Sequence, residues 1–340
     1  MVRGRKAGVI LAGAVSFSLL AAACSDNSST TNSGGSDTSP SGSVVVSGSS
    51  TVEPISSLVA ELFRENNPDV TITVDGPGTG DGFVLFCQGE TDISDASRPI
   101  ADDEAAACKK AGIGYVELEI GLDGITVMTN PANDTVSCLN LGDLYALIGP
   151  EAEGFQNWSD ADALAKKVGG TDSFPDAPLD ITGPGEESGT YDAFIELAKF
   201  EDTGVANGLS AEKAAVTRPD YQSSPNDNVI IQGIERSESS LGWVGFAFAQ
   251  NAGGEVKEVQ IDGGSGCVEP TTDTIGDGSY PLSRSLYIYV NTAKVAENPA
   301  LKAFVDYYVS DEGLTAVPQA GYVDLPADRI AATQSTWSGI

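Results

Sequence analysis

Four short stretches share a composition suited to holding a small anion: Ser49-Ser50-Thr51, Gly78-Thr79-Gly80, Ser97-Arg98 and Ser188-Gly189-Thr190. Glycine lets the main chain come close to a ligand, and hydroxyl groups add donors. Where such a stretch opens a helix, unpaired N–H groups and the helix dipole favour negative charge. Each stretch alone is the ordinary composition of a helix cap or a turn. Their recurrence is what points to a ligand. Arg98 sits between a hydroxyl and a proline, where its guanidinium could meet two oxygens of a tetrahedral anion. The competing use of Arg98 is an ion pair with Asp95 or Asp102.

The same residues argue against catalysis. The chain has no histidine, so a serine–histidine–acid triad cannot form. Residues Gly183 to Thr190 end in Ser-Gly-Thr where a nucleotide phosphate loop needs Gly-Lys followed by Ser or Thr. Gly76 to Gly82 does not fit the dinucleotide fingerprint. Pairs such as Asp102-Asp103 and Glu186-Glu187 carry little weight among 49 acidic residues. Without histidine or a CxxC spacing no metal site is expected, and no cofactor. A binding protein is the simplest account. A secreted phosphatase-like enzyme and a surface adhesin or sensor are the alternatives.

The elements that must position these loops alternate between strand and helix. Val44 to Val46 reads as a strand, and Ile55, Leu58, Val59, Leu62 and Phe63 follow at helical spacing behind Pro54. Val70 to Val74 and Thr91 to Ala96 read as strands, and Asp102 to Lys110 as a helix. A second series starts with a strand at Leu179 to Ile181 and a helix presenting Tyr191, Phe194, Ile195 and Ala198. Val229 to Ile234 reads as helix, then Leu241 to Val244, Val256 to Ile261 and Tyr287 to Val290 as strands. Leu301 to Val309 reads as a terminal helix. The alternation predicts an α/β fold with mixed, mostly parallel sheets, whose ligands sit beyond the carboxyl ends of the strands.

The N-terminus carries Arg3, Arg5 and Lys6, then an apolar run to Ala23 ending in Leu-Ala-Ala-Ala-Cys24. Residues 1–23 are expected to be a signal peptide, and Cys24 the lipidated residue of a lipoprotein held at the outer face of a membrane. Residues 24–43, rich in Ser, Thr, Gly, Asn and Asp, are expected to be a flexible tether. The remaining ~300 residues exceed what one core usually supports, so two lobes are expected. The formal charge of −31 makes nucleic acid a poor partner and requires any anion site to be local and enclosed. Besides Cys24, four cysteines remain, Cys87, Cys108, Cys138 and Cys267, and an even number in an exported chain favours two disulfides. Cys87 with Cys108, the closest in sequence, is the preferred pairing, leaving Cys138 with Cys267.

From Val44 onward the motifs together resemble one family. They are Ser47-Gly-Ser-Ser-Thr51, Gly78-Thr-Gly-Asp-Gly82, Asp92-Ile-Ser-Asp-Ala-Ser-Arg-Pro-Ile100, Gly183-Pro-Gly-Glu-Glu-Ser-Gly-Thr190, Arg218-Pro-Asp-Tyr221 and Pro281-Leu-Ser-Arg284. The chain resembles the phosphate-binding proteins of bacterial phosphate ABC transporters, the PstS family, and within it the branch that includes SphX. The resemblance implies a two-lobed type II periplasmic-binding-protein fold closing over one phosphate, a membrane permease as partner, and a monomer. Lobe 1 would comprise residues 44–122 plus 277–340, and lobe 2 residues 123–276. Crossings are expected near Gly121-Leu122-Asp123-Gly124 and Gly276-Asp277-Gly278, since hinges must absorb backbone rotation.

Family contacts map onto Ser50, Thr51, the backbone at Val52, Thr79, Gly80, Ser188, Gly189 and Thr190. Two positions depart from the commonest family pattern. The arginine four residues before Ser-Gly-Thr is Pro184 here, and the aspartate proton acceptor falls on Ser97. Arg98 is therefore expected to supply the charge, and Asp95 to accept the phosphate proton, with Asp81 and Glu187 as the other choices.

Overall fold

A computed structural model describes residues 40–340, apart from Asp172 and Glu187. The expected signal peptide, Cys24 and most of the expected tether lie outside the described residues. The first strand, β1 (Gly42–Gly48), includes Gly42 and Ser43, which the sequence reading gave to the tether. There follow α1 (Glu53–Asn66), β2 (Val70–Asp75), α2 (Thr79–Cys87), β3 (Ile93–Ala96) and α3 (Asp102–Ala111). The long β4 (Tyr115–Thr129) leads to β5 (Cys138–Asn140), α4 (Leu141–Ile148), α5 (Asp162–Lys167), β6 (Ile181–Gly183) and α6 (Gly189–Leu197). The later strands are β7 (Gln222–Ser223), β8 (Leu241–Gly245), β9 (Lys257–Glu258), β10 (Gln260–Asp262), β11 (Cys267–Val268) and β12 (Ser283–Asn291). Helices Pro299–Tyr308 and Ala327–Ser338 close the chain.

The sheet is mixed, ordered β2-β1-β3-β12-β4-β8-β6-β7 with β9 also on β4. Its outer pairs are parallel: β1 with β2 and β3, and β6 with β7 and β8. The middle is antiparallel, where β12 meets β3 and β4, and β4 meets β8. Following these directions across the ladder, β3 runs the same way as β4 while β6 runs against it. The carboxyl ends of β1 and β3 therefore point toward those of β6 and β8, meeting beside the middle of β4. This topology turns two separate sets of strand-to-helix loops onto one place.

Hydrophobic spacing explains why the helices lie where they do. Ile55, Val59 and Phe63 recur every fourth residue on α1 and are buried, with Pro54 in the first turn. Each such side chain contributes roughly 1.5–3 kcal/mol by burial. They share a core with Val44, Ile72, Ile93, Leu118, Ile120, Leu286, Phe304 and Tyr308. A second core gathers Leu122, Ile125, Leu144, Trp158, Ile181, Phe194, Trp243 and Leu282. Strand β4 passes from one core to the other between Ile120 and Leu122, and the chain returns between Leu282 and Leu286.

Gly121 to Gly124 lies within β4, paired with β12 from Ser283 to Leu286, where the strand passes between the cores. The return falls between Leu282 and Leu286 rather than near Gly276, which ends a short helix, Thr272–Gly276, ahead of β12. The disulfides join Cys87 to Cys108 and Cys138 to Cys267. The first ties α2 to α3, and the second ties β5 to β11 in a separate three-stranded sheet.

Candidate functional site

The first loop leaves β1 at Gly48, whose φ is 152°. A Cβ there would stand 2.1 Å from the Asp95 carbonyl oxygen, so only glycine permits β1 and β3 to approach this closely. Ser49 N–H donates to that carbonyl at 2.9 Å, and Ser49 Oγ accepts from Thr51 N–H at 3.2 Å. The Ser49 carbonyl accepts from Val52 N–H at 3.1 Å and Glu53 N–H at 2.9 Å. The result is a tight turn into α1 with Ser49 and Thr51 both buried. In this turn the Val52 N–H, which the resemblance assigns to the ligand, donates to the Ser49 carbonyl.

The second and third loops sit side by side. Gly78 N–H donates to the Gly48 carbonyl at 2.8 Å, which places the start of α2 over the end of β1. A Cβ on Gly82 would lie 2.4 Å from Gly48 Cα, so this packing too depends on glycine. Thr79 Oγ1 and Ser97 Oγ are 3.0 Å apart, and Ser97 N–H donates to Thr79 Oγ1 at 3.2 Å. Thr79, Gly80 and Asp81 form the first turn of α2, where N–H groups have no intrahelical acceptor.

Arg98 borders this turn, its Nη2 4.0 Å from where a Gly80 Cβ would be. Its fork is already engaged, however, by both oxygens of Glu104 at 2.8 Å each. The guanidinium also lies 5.7 Å from the centre of the Phe83 ring. The partner is neither Asp95 nor Asp102. Glu104 caps α3 as well, accepting from Ala101 N–H at 2.8 Å, and Arg98 holds its carboxyl below the usual range.

The fourth loop comes from the other core. Ser188 caps α6, its side chain accepting from Thr190 N–H at 3.2 Å. Gly189 rests directly on the first loop: a Cβ there would be 3.2 Å from the Ser50 carbonyl oxygen and 3.3 Å from Thr51 Cα. Ser50 Oγ donates to Asp192 Oδ2 at 3.1 Å across the same junction. Burial raises the Asp192 carboxyl, partly offset by that hydrogen bond. Ser50, Thr51, Ser188, Gly189 and Thr190 are thus gathered at one spot, while Thr79, Gly80, Ser97 and Arg98 flank Gly48 on the α2 side.

Asp95 does not face these loops. Its Oδ1 accepts from Ser56 Oγ at 2.9 Å, and Ser56 in turn meets Tyr308 at 3.0 Å. The side chain thus points with Ile93 into the core under α1, because alternate residues of β3 share a face. Burial pushes its carboxyl up to about 7, despite the Ser56 hydrogen bond. Asp81 is exposed, and Glu187 lies outside the described residues.

Arg284 was missed as a site residue. It projects from β12, nearly buried, with Nη2 donating to Thr51 Oγ1 at 3.0 Å. Its Nε reaches Asp123 Oδ2 at 3.3 Å and its Nη1 reaches Glu196 on α6. One guanidinium therefore links the first loop, β4 and α6. Burial raises the Asp123 carboxyl even with this cation beside it. The signal in the sequence was Arg284 itself, a lone cation at the head of a strand that turns apolar at Leu286, Ile288 and Val290.

Residues 33–312 match the family model for the PBP superfamily domain. The chain is 38% identical over 288 residues to Protein SphX of Synechocystis sp., covering 84% of this chain and 79% of that protein. It is 35% identical over 323 residues to the Phosphate-binding protein PstS of Staphylococcus saprophyticus, covering 95% and 91%. Among solved structures it is similar to a possible phosphate binding protein from Planctomyces limnophilus, with TM-score 0.78 and 37% identity over 88% of this chain and 99% of that one. No helix among the described residues is long and apolar enough to cross a membrane. Fold, loop arrangement and these likenesses agree, and the chain belongs to the PBP superfamily and, within it, to the family of SphX and the PstS phosphate-binding proteins.

Proposed function

We propose that this chain is an extracytoplasmic receptor that binds inorganic phosphate between two lobes and delivers it to the permease of an ABC transporter. The observation that carries this reading is the seating of the α6 N-terminus at Gly189 against Ser50 and Thr51. Helix N–H groups and hydroxyls from both cores converge there, the donor-rich enclosure a phosphate requires in a chain of strongly negative charge. A micromolar site needs about 8 kcal/mol net, and several charge-assisted hydrogen bonds of roughly 1.5–3 kcal/mol each are sufficient. The lobes would divide where β4 and β12 pass between the two cores. The names of the relatives support the ligand, and names that describe phosphate-binding proteins support binding without turnover. Cys24 would carry the lipid that holds a monomeric receptor beside its permease.

Titration calorimetry of the folded chain with phosphate, sulfate and arsenate tests the reading, with a phosphomonoester turnover assay beside it. One-to-one heat with phosphate, weaker binding of sulfate at neutral pH and no turnover are expected. Absence of phosphate heat, or hydrolysis of the ester, would overturn it. Detergent phase separation of the expressed chain tests the anchor. The wild type should enter the detergent phase and Cys24→Ala the aqueous phase.

A further inference from the structure

Arg284 holds Thr51 in a geometry that limits what the threonine hydroxyl can do. A hydroxyl carries one hydrogen and two acceptor lone pairs, whereas a guanidinium only donates. At 3.0 Å from Arg284 Nη2, Thr51 Oγ1 must be the acceptor. Its own hydrogen is left to point elsewhere. Thr51 is 2% exposed, and nothing among the described residues accepts that hydrogen. A buried donor without a partner is costly, and the cost is relieved when an acceptor arrives. The neighbouring backbone is Gly189, at the opening turn of α6. An acceptor placed there receives the hydroxyl together with N–H groups of the helix terminus.

We infer that Arg284 is a positioning residue, one that locks the Thr51 hydroxyl as a donor toward the bound anion and polarises it from behind. The inference rests on the phosphate reading above and adds a residue and a rule to it. The cation does not stand free to draw anions at random, because Asp123 and Glu196 accept from its Nε and Nη1. Those two carboxylates fix the plane of the guanidinium, and so the direction of its Nη2–H toward Thr51. The consequence for recognition is directional. With its hydrogen unpartnered and one lone pair taken by Arg284, the Thr51 hydroxyl gains most by donating, so it favours an unprotonated oxygen of the ligand.

A double-mutant cycle on phosphate affinity tests this by calorimetry, using Arg284→Gln, Thr51→Val and both together. Each single change should weaken phosphate binding about tenfold, the size of one charge-assisted hydrogen bond. The double variant should bind within about twofold of Thr51→Val, because the arginine acts through the hydroxyl. If Arg284→Gln costs the same factor in the Thr51→Val background as in the wild type, the arginine does not act through Thr51 and the inference fails. A general loss of fold would weaken both backgrounds alike, so this comparison separates positioning from support. If Arg284→Gln does not fold, the same cycle is run with Arg284→Lys, under the same criterion of additivity. A wild-type chain that gives no phosphate heat removes the underlying reading and the inference with it. A wild type that binds while the cycle is additive removes the inference alone.

Discussion

Gly189, at the start of α6, lies so close to Thr51, at the start of α1, that a side chain on the glycine would press on the backbone of the first loop. A Cβ on Gly189 would approach the Ser50 carbonyl oxygen to 3.2 Å and Thr51 Cα to 3.3 Å, tighter than ordinary packing. Gly189 has no left-handed backbone angle, so the restriction is one of space alone. Gly189→Ala should push the α6 terminus back by a few tenths of an ångström, and Gly189→Val further. Phosphate affinity should fall about tenfold in the valine variant, with the thermal midpoint nearly unchanged because α6 tolerates a side chain at its first position. Wild-type affinity in Gly189→Val would show that this contact is no part of the bound state.

The buried Asp95 carboxyl gives a second expectation. Its ordinary value is 3.8 and burial raises it to about 7 in the folded chain, helped by Glu53 on α1 and Asp75 on β2. Ser56 on α1 and Tyr308 on the packed helix are its polar neighbours. Below about pH 4 the group is protonated in folded and unfolded chains alike. Between about pH 4 and 7 the folded chain holds the proton more tightly, so stability falls as pH rises through that window. Urea midpoints at pH 4.5 and 7.5 should therefore differ more for the wild type than for Asp95→Asn. Equal pH dependence in the two proteins would mean that Asp95 does not titrate in this range.

Arg98 is poised beside Gly80 but is occupied by Glu104. Replacing that acid separates its two roles. Glu104→Gln should cost about 1 kcal/mol of stability, since the α3 cap is weakened. It should also strengthen phosphate binding several-fold, because a guanidinium is released next to the first turn of α2 and one negative charge is removed. A calorimetric affinity equal to wild type would place Arg98 outside the site.

The sequence and the structure agree most closely where one residue type admits one geometry. Gly48 and Gly82 announce close backbone approach, and both are used that way at the β1–α2 junction, while Gly78 supplies a positive φ of 115°. The periodicity of Ile55, Val59 and Phe63 places α1, and thereby Thr51, without reference to the rest of the chain. Gly121 and Gly124 lie where β4 passes between the cores, and inside the paired strand they also make room for neighbours: a Cβ would come within 2.8 Å of a Val317 methyl and 2.7 Å of Ile275. Nothing local distinguishes a glycine that makes such room from one that absorbs rotation. Arg284 was overlooked for a related reason. It lies 233 residues from Thr51 in the chain, and only the antiparallel pairing of β12 with β4 brings it there. For Arg98 the sequence neighbourhood offers Asp95 and Asp102 as partners and does not show that Glu104, in the first turn of α3, fits its fork.

The disulfides should contribute unequally. Cys87 and Cys108 are 21 residues apart, and Cys138 and Cys267 are 129 apart. Cross-linking removes entropy from the unfolded chain in proportion to the logarithm of the loop it closes, so the longer link is worth about 1.6 kcal/mol more in that model. The longer link also ties β5 to β11 across the small sheet, away from every loop of the proposed site. Replacing Cys138 and Cys267 by serine should therefore lower the denaturant midpoint more than replacing Cys87 and Cys108. The effect on phosphate affinity should be reversed, because Cys87 closes α2, the helix whose first turn carries Thr79 and Gly80. Paired measurements of midpoint and affinity on the two double-serine variants check both halves. Equal midpoints would show that structure remaining in the unfolded chain outweighs loop length, and unchanged affinity without the Cys87–Cys108 link would show that α2 holds its first turn by the glycine contacts alone.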